Sequence, residues 1–183
     1  MLLELNSRME IVLSLLLFGL TISQGCSPRY ARRNLARKAR VEQSSTHPQY
    51  PYATAARAID GIRSGNSARY QCSQTDMEEN AWWRLELKRS TNIGAVILYN
   101  RNDCCFKRLY DAHVLIQEEK HHPGKLCGVV NKFIVFQPSI GFCCHGVTGK
   151  FIKITIPKRK EMLTLCEVVV YGLDGFDIQW IRR

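Results

Sequence analysis

Two adjacent cysteines stand in a strongly polar segment, NRNDCCFKR, which runs from Asn100 to Arg108. Asp103 precedes the pair, and Arg101, Lys107 and Arg108 surround it. Free thiols and a disulfide bond offer different chemistry, and the compartment of a protein decides which of them persists. The first property to predict from the sequence is therefore the compartment in which the protein acts.

The N-terminus carries a short apolar run, IVLSLLLFGL, over residues 11–20. The run is shorter than the roughly 20 residues that a membrane-spanning helix needs. Arg8 precedes it, and Ser23-Gln24-Gly25 follows, which is a small-x-small pattern suited to signal peptidase. Residues 1–25 are therefore predicted to be a secretory signal peptide, cleaved before Cys26. The mature protein is predicted to be secreted and extracellular.

The cysteines favour disulfide bonds over zinc sites. The chain contains eight of them, all retained after cleavage before Cys26, and an oxidising compartment favours their pairing. No C-x-x-C pair is present, and His113, His121, His122 and His145 do not fall at the spacing of a zinc finger.

The chain is basic, with a formal net charge of +10 at pH 7. Residues 29–40, RYARRNLARKAR, carry six positive side chains. Residues 26–33 are predicted to form a basic N-terminal arm, which is either solvated, a processing site, or a contact for anionic glycans such as heparin. Nucleic acid is disfavoured as a partner because the chain is exported and has no recognisable nucleic-acid module.

Short apolar segments separated by turn residues predict an all-β fold, an antiparallel β-sandwich or jelly-roll barrel. A short helical turn is predicted over Thr54–Ile59. The predicted strands are Trp83–Lys88, Ile93–Tyr99, His113–Gln117, Phe133–Phe136, Phe151–Ile156 and Cys166–Tyr171. Residues 34–172 are predicted to be one domain, and residues 173–183 are a tail without a predicted element.

An ordered set of motifs across this domain resembles the F-type lectins, or fucolectins. The motifs are NLARKARVEQSS from Asn34, AIDG from Ala58, CSQTD from Cys72, WWRLEL from Trp82, NRNDCC from Asn100 and LTLCEVVVYG from Leu163. The resemblance implies a jelly-roll β-barrel related to discoidin-like domains and a lectin that binds L-fucose without enzymatic activity.

The sugar motif of that family is a histidine, 26 residues, Arg-x-Asp, four residues, and an arginine or lysine. Arg101, Asp103 and Arg108 match its second half, and Gln74 stands where the histidine is usual. Guanidinium groups present several fixed donors that can hold ring and hydroxyl oxygens of fucose. Asp103 is expected to orient an arginine or the turn through a charge-assisted hydrogen bond.

The adjacent cysteines acquire a role from the same resemblance. Spacing alone disfavours a bond between them, because adjacent Cα atoms lie about 3.8 Å apart and disulfides usually need about 4.4–6.8 Å. The resemblance implies that Cys104 and Cys105 nevertheless bond and form a rigid apolar plate against one face of the sugar.

The resemblance also implies the pairs Cys72–Cys166 and Cys127–Cys143. Cys26 and Cys144 are then left over, and the sequence leaves open whether they bond each other or link two chains into a homo-oligomer.

A structural calcium ion is a further implication of the resemblance. Two carboxylates, Asp60 and Glu167, supply hard oxygen ligands of the kind that Ca²⁺ prefers. The backbone carbonyl ligands would come from Arg57, Ile62, Gln71 and Cys166.

The sequence thus predicts a secreted, calcium-dependent lectin for fucosylated glycans, acting in recognition or agglutination of cell surfaces or microbes, as in innate immunity. An alternative keeps the fold and changes the ligand to sulfated glycans or anionic lipid surfaces. A secreted hydrolase is disfavoured, because Glu78 and Glu79 belong to a polar loop, DMEEN, and no nucleophile–base arrangement is recognisable.

Overall fold

A computed structural model describes residues 33–66 and 71–173 of the chain. These residues form ten β-strands and two short 3₁₀ helices, Ala55–Ile59 and Phe106–Leu109, and contain no α-helix. The strands are β1 (Arg40–Gln43), β2 (Ser73–Gln74), β3 (Glu78–Glu79), β4 (Trp82–Tyr99), β5 (His113–Gln117), β6 (Lys125–Val129), β7 (Ser139–Thr155), β8 (Lys160–Glu161), β9 (Thr164–Leu165) and β10 (Glu167–Gly172). The prediction of an all-β antiparallel fold is confirmed.

Two long strands, β4 and β7, form the centre of the main sheet. The strand order is β1-β4-β7-β5-β6, β10 also pairs with β4, and every pair is antiparallel. The first part of β4 pairs with β1 and the last part with β10. The β4–β7 ladder shifts register between Glu86 and Thr91, and such irregularities bend a strand. The two halves of the sheet therefore pack around one core.

The core follows the alternation that the segment WRLELK predicts. Trp83, Leu85 and Leu87 of β4 are buried, one residue in two, as the two-residue period of a strand requires. Their cross-strand partners Ile154 and Ile152 of β7 are also buried. Burying one side chain of this size stabilises a fold by about 1.5–3 kcal/mol.

The structure extends some predicted strands and rejects one. Trp83–Lys88 and Ile93–Tyr99 are parts of the continuous strand β4, and most of Phe151–Ile156 is the end of β7. Predicted strand Phe133–Phe136 is wrong, because this segment is a turn. The reason is Asn131, whose side-chain oxygen accepts the backbone N–H groups of Phe133 and Ile134 at 2.9 and 3.2 Å and so closes the turn.

The disulfides include two of the implied pairs and correct the third. Cys72 bonds Cys166, and Cys104 bonds Cys105. The pair Cys127–Cys143 is wrong, because Cys127 bonds Cys144 with a Cα–Cα distance of 4.8 Å.

Strand alternation explains this correction. Neighbouring residues of β7 point to opposite faces of the sheet, and Cys144 is the one buried in the core against which Cys127 packs. Cys143 is also disulfide-bonded, and none of the described cysteines is free. Cys26, the other cysteine that the sequence left over, lies outside the described residues.

The predicted domain start is tied to its last strand. The side-chain oxygen of Asn34 accepts the N–H groups of Ala36 and Val170, and the N–H of Leu35 donates to the carbonyl of Val170. The predicted signal peptide, most of the basic arm and nearly all of the tail lie outside the described residues. Over the ranges that are described, no helix has the length and apolar character needed to cross a membrane.

Candidate functional site

The Cys104–Cys105 disulfide lies in the loop that links the end of β4 to the second 3₁₀ helix. Cys105 has a left-handed backbone with φ of 60°, which few non-glycine residues adopt. The 3₁₀ helix begins directly after it, and the N–H of Arg108 donates to the carbonyl of Cys105. The loop therefore presents a fixed eight-membered ring with an arginine on either side in sequence.

Asn100 holds this loop against the turn that precedes β7. Asn100 is 2% exposed, and its side-chain amide donates to the carbonyls of Phe106 at 3.1 Å and Val135 at 2.9 Å. Its backbone N–H donates to the carbonyl of Pro138. Because buried amides are costly unless their hydrogen bonds are made, Asn100 fixes the geometry of both segments.

Arg101 is oriented by Asp103. The Nε and Nη2 atoms of Arg101 donate to the two carboxylate oxygens of Asp103 at 2.8 and 3.0 Å. Bidentate pairs of this kind are strong and geometrically specific. The third nitrogen, Nη1, has no partner among the described residues. Asp103 thus orients the guanidinium group of Arg101 and leaves its Nη1 atom unused by the described residues.

Arg108 lies beside an acidic residue that sequence analysis did not identify. Its Nε is 3.9 Å from an oxygen of Glu161, whose other oxygen accepts a hydrogen bond from Arg159 at 3.3 Å. Arg159 also donates to the backbone carbonyls of Arg108 and Tyr110. Within the described part of the chain, Nη1 of Arg108 is buried without a hydrogen-bond partner. Glu161 and Arg159 therefore position Arg108 from β8 and the turn before it.

Gln74 reaches the same region from β2. It is 4% exposed, pairs with Thr164 of β9, and donates its side-chain amide to the sulfur of Met162 at 3.3 Å. Sulfur is a weak acceptor, so this contact leaves the amide available to a better one. Gln74 and Arg108 thus both adjoin residues 161–164, while Arg101, Asp103 and the cysteine ring lie on one loop that ends at Arg108.

Replacing Glu161 with glutamine tests this positioning. We expect Glu161→Gln to weaken fucose binding about threefold to tenfold, because Arg108 loses the charge that orients it. A change of this size corresponds to the net free energy of about one hydrogen bond. Unfolding stability should change by about 1 kcal/mol, the net size of one hydrogen bond, because both partners of this ion pair are partly buried. Titration calorimetry with fucose on this variant and on Glu79→Gln, an exposed carboxylate of β3, is the measurement. Equal affinities for the two variants would assign Glu161 no role.

A second cluster unites Asp60 and Glu167, which are far apart in sequence. One oxygen of Asp60 accepts the N–H of Ile62 at 2.8 Å, and one oxygen of Glu167 accepts the N–H of Gly61 at 3.1 Å. The first 3₁₀ helix is followed directly by Asp60, and this helix lies against β10. The end of this helix and the start of the last long strand therefore meet at two carboxylates.

The charge of Glu167 is poorly compensated. Its side chain is buried, with the residue 1% exposed, and no lysine or arginine nitrogen of the described residues lies within 4 Å of it. Burial raises the pKa of Glu167 to about 7. The carboxylate of Asp60 adds to the rise, whereas the N–H of Gly61 and the guanidinium groups of Arg63 and Arg37 oppose it. A buried carboxylate beside a second one has the electrostatics that a bound cation would relieve.

The remaining predicted calcium ligands make fewer contacts with Asp60 and Glu167. Arg57 lies in the 3₁₀ helix, with its Nη1 3.9 Å from Asp60, and Ile62 is largely exposed. Gln71 accepts a hydrogen bond from the hydroxyl of Ser64 through its side chain. Cys166 is buried beside Glu167. The described residues contain no cluster of three or more His, Cys, Asp or Glu, so backbone carbonyls must complete any site here.

Three residues that hold the predicted sugar site together were missed by sequence analysis. Asn100, Arg159 and Glu161 act through tertiary contacts, and no local pattern marks them. Asn100 begins the quoted NRNDCC motif, and that position was its one available signal.

A family model described as a NedA-like, galactose-binding domain matches residues 57–154, more than half of the chain. Fucolectin-5 of Anguilla japonica is 30% identical over 93% of this chain and 96% of its own. The pentraxin fusion protein of Xenopus laevis is 34% identical over 78% of this chain, which spans only 34% of that relative.

Solved structures that are similar to this chain are also lectins. The serum F-lectin of striped bass, Morone saxatilis, has a TM-score of 0.71 and 34% identity over 77% of this chain and 47% of its own. The lectin domain of lectinolysin, solved in complex with Lewis b antigen, has a TM-score of 0.70 and 26% identity over 78% of this chain and 98% of its own. The chain belongs to the F-type lectins, or fucolectins, which are carbohydrate-binding proteins and not enzymes.

Proposed function

We propose that this protein is a secreted lectin that binds terminal L-fucose on glycans and is stabilised by calcium. The observation that carries the proposal is the Cys104–Cys105 ring held on one rigid loop between Arg101 and Arg108. Relatives named as fucolectins and the Lewis b complex of lectinolysin support the choice of sugar.

The residues of the loop divide the recognition of a sugar between them. The cysteine ring offers a flat, polarisable surface for the apolar face of fucose, and burying that face provides a non-directional attraction. Arg101 and Arg108 donate to sugar oxygens, which fixes the orientation of the ring. Asp103 and Glu161 keep those two guanidinium groups in place, so little side-chain entropy is lost on binding.

Gln74→His tests the position that departs from the family motif. A neutral imidazole donates from a rigid ring, whereas ordering a glutamine side chain costs up to about 2 kcal/mol of entropy. We expect the variant to bind fucose more tightly by about 1 kcal/mol, the net size of one hydrogen bond. Its affinity should fall below about pH 6.5, where imidazole becomes charged.

Titration calorimetry with fucose at pH 7.5 and pH 5.5 checks both parts of this expectation. Wild type, with glutamine at position 74, is the control for the pH step. An unchanged affinity at pH 7.5 would show that residue 74 does not touch the sugar.

Calcium fits the carboxylate cluster because its donors are hard oxygens and one of them is a buried carboxylate without an ion-pair partner among the described residues. Asp60 and Glu167 would hold the ion through side chains, and Arg57, Ile62, Gln71 and Cys166 through backbone carbonyls. The ion would balance the buried negative charge and join the first 3₁₀ helix to β10. Its role is structural, since neither carboxylate belongs to residues 100–108, the loop proposed to hold the sugar and here named the sugar loop.

Recognition and agglutination of cells or microbes, as in innate immunity, is the biological role that suits such a lectin. Agglutination requires several sugar sites in one assembly, because linked sites gain avidity without new contacts. We propose a homo-oligomer as that assembly, with the sites on separate chains.

The net charge of +10 favours one other ligand class, sulfated glycans or anionic lipid surfaces. A glycan array probed at low and high salt separates the two candidates. Binding to fucosylated glycans that persists at high salt supports the lectin for fucose. Binding to sulfated glycans that fades with salt supports the alternative, because exposed charges are screened.

A further inference from the structure

Two strongly exposed phenylalanines, Phe133 and Phe136, lie on the turn before β7, and Phe106 of the sugar loop packs on the second of them. We name these three residues the phenylalanine patch. Phe133 is 77% exposed and Phe136 is 57% exposed. Phe106 directly follows Cys105, and its ring centroid lies 5.0 Å from that of Phe136. The patch therefore adjoins the cysteine ring.

The turn that carries two of these rings is well held. Asn131 caps it through the N–H groups of Phe133 and Ile134, and the N–H of Val135 donates to the carbonyl of Asn131. Val135 anchors the turn in the core with 2% exposure. The backbone that carries Phe133 and Phe136 is consequently held in place, so a ligand need not order the turn.

Asn100 couples the patch to the proposed fucose site. Its amide donates to the carbonyl of Phe106 on one side and to that of Val135 on the other. A single buried side chain thus joins the cysteine loop and the phenylalanine turn. The ring that would pack on fucose and the patch keep one relative geometry.

We propose that the phenylalanine patch is a second subsite, which binds the sugar residue next to the terminal fucose; this rests on the proposed function of the loop. Aromatic faces are negative and attract the positive C–H groups of a pyranose face, in addition to burying apolar area. The exposed side chain of Gln137, next to Phe136, can supply hydrogen bonds to hydroxyl groups at the edge.

A glycan fits this surface better than a lipid bilayer does. The patch is continuous with the loop that carries the sugar motif. It is also small, with one cation, Lys132, recorded over the ring of Phe133 at 5.1 Å. Stable attachment to anionic lipid needs several basic residues or more apolar area than two exposed side chains offer.

The test compares free L-fucose with fucosylated di-, tri- and tetrasaccharides, including Lewis b, on wild type, Phe133→Ala, Phe136→Ala and the double variant. Leu126→Ala is the matched control, an exposed apolar residue of β6 with 55% exposure. We expect wild type to bind at least one extended glycan more tightly than fucose. The phenylalanine variants should lose about fivefold to tenfold of that gain, as expected for about 50 Å² of apolar contact. Their affinity for free fucose should be unchanged.

The outcomes separate this inference from the function on which it rests. Variants that bind fucose and every extended glycan like wild type overturn the subsite and leave the fucose site standing. If those variants also lose binding to phosphatidylcholine–phosphatidylserine vesicles that wild type binds, the patch is a lipid contact and the subsite is likewise overturned. A wild-type protein that binds no fucosylated ligand overturns both proposals. Loss confined to extended glycans, absent in Leu126→Ala, supports the subsite.

Discussion

Arg101→Ala is expected to lower fucose affinity by about 100-fold or more. Arg101 lies beside the cysteine ring, and its bidentate bond with Asp103 leaves Nη1 directed to no other described residue. Hydrogen bonds from charged donors contribute about 1.5–3 kcal/mol each, and about 1.4 kcal/mol is a tenfold change in affinity. Titration calorimetry with free fucose measures the loss.

Two further variants make this result specific. Arg101→Lys keeps the charge but removes the planar fork, so it should recover only a small part of the affinity. Arg89→Ala removes an exposed arginine from the bulged middle of β4 and should bind fucose like wild type. If Arg101→Ala retains wild-type affinity, the sugar does not bind at this loop.

Calcium is expected to raise the unfolding midpoint of the wild-type protein, and Glu167→Gln to abolish that response. A ligand that binds only the folded state stabilises it by about 2.7 kcal/mol at a concentration 100 times its Kd. The variant loses a carboxylate ligand but keeps the shape of the side chain. Thermal unfolding in chelator and in excess calcium at pH 8 gives the comparison.

The raised pKa of Glu167 sets the sign of a pH effect in chelator. Because the folded-state pKa of about 7 lies above the ordinary glutamate value of 4.5, the folded protein binds the proton more tightly than the unfolded chain does. The stabilising contribution of the protonated group is complete below about pH 4.5 and is lost as the pH rises to about 7. The difference corresponds to about 3 kcal/mol. At pH 8 in chelator, Glu167→Gln should therefore be more stable than wild type.

The two signs make the experiment discriminating. In chelator at pH 8, Glu167→Gln should be more stable than wild type. Calcium should raise the unfolding midpoint of wild type and leave that of Glu167→Gln unchanged. Glu86→Gln, which removes a carboxylate paired with Lys150 on the sheet surface, should respond to calcium like wild type. Identical wild-type midpoints in chelator and calcium, or a calcium response retained by Glu167→Gln, would contradict the proposed ion.

Alternating and buried apolar segments were sufficient to predict most of the sheet. The segments WRLELK and CEVVVY became parts of β4 and β10 because their burial agrees with their local pattern. The segment FIVF is also apolar and also predicted a strand, but a single asparagine before it turns the chain, and both phenylalanines are exposed. Composition could not reveal this, since the hydrogen bonds of Asn131 decide it.

The limits at the site have a similar cause. The sequence marks Arg101, Asp103 and Arg108 because they share one short segment. The sequence cannot mark Glu161 or Arg159, because these residues are distant in the chain and contact that segment only in the tertiary structure, where β8 pairs with β3. Cys143 and Cys144 show the same limit, because choosing between adjacent residues requires knowing which face of β7 is buried.

The Cys72–Cys166 disulfide gives the two proposed sites a shared mechanical support. Cys72 stands between Gln71 and Gln74, and Cys166 stands between Thr164 and Glu167, so each half of the bond has a sugar-side neighbour and a metal-side neighbour. The disulfide is thus a covalent connection through which order at one proposed site can affect the other. By thermodynamic reciprocity, the factor by which calcium changes the affinity for glycan equals the factor by which glycan changes the affinity for calcium. If calcium tightens glycan binding, a molecule attached to a fucosylated surface therefore loses its ion less readily than a free molecule does.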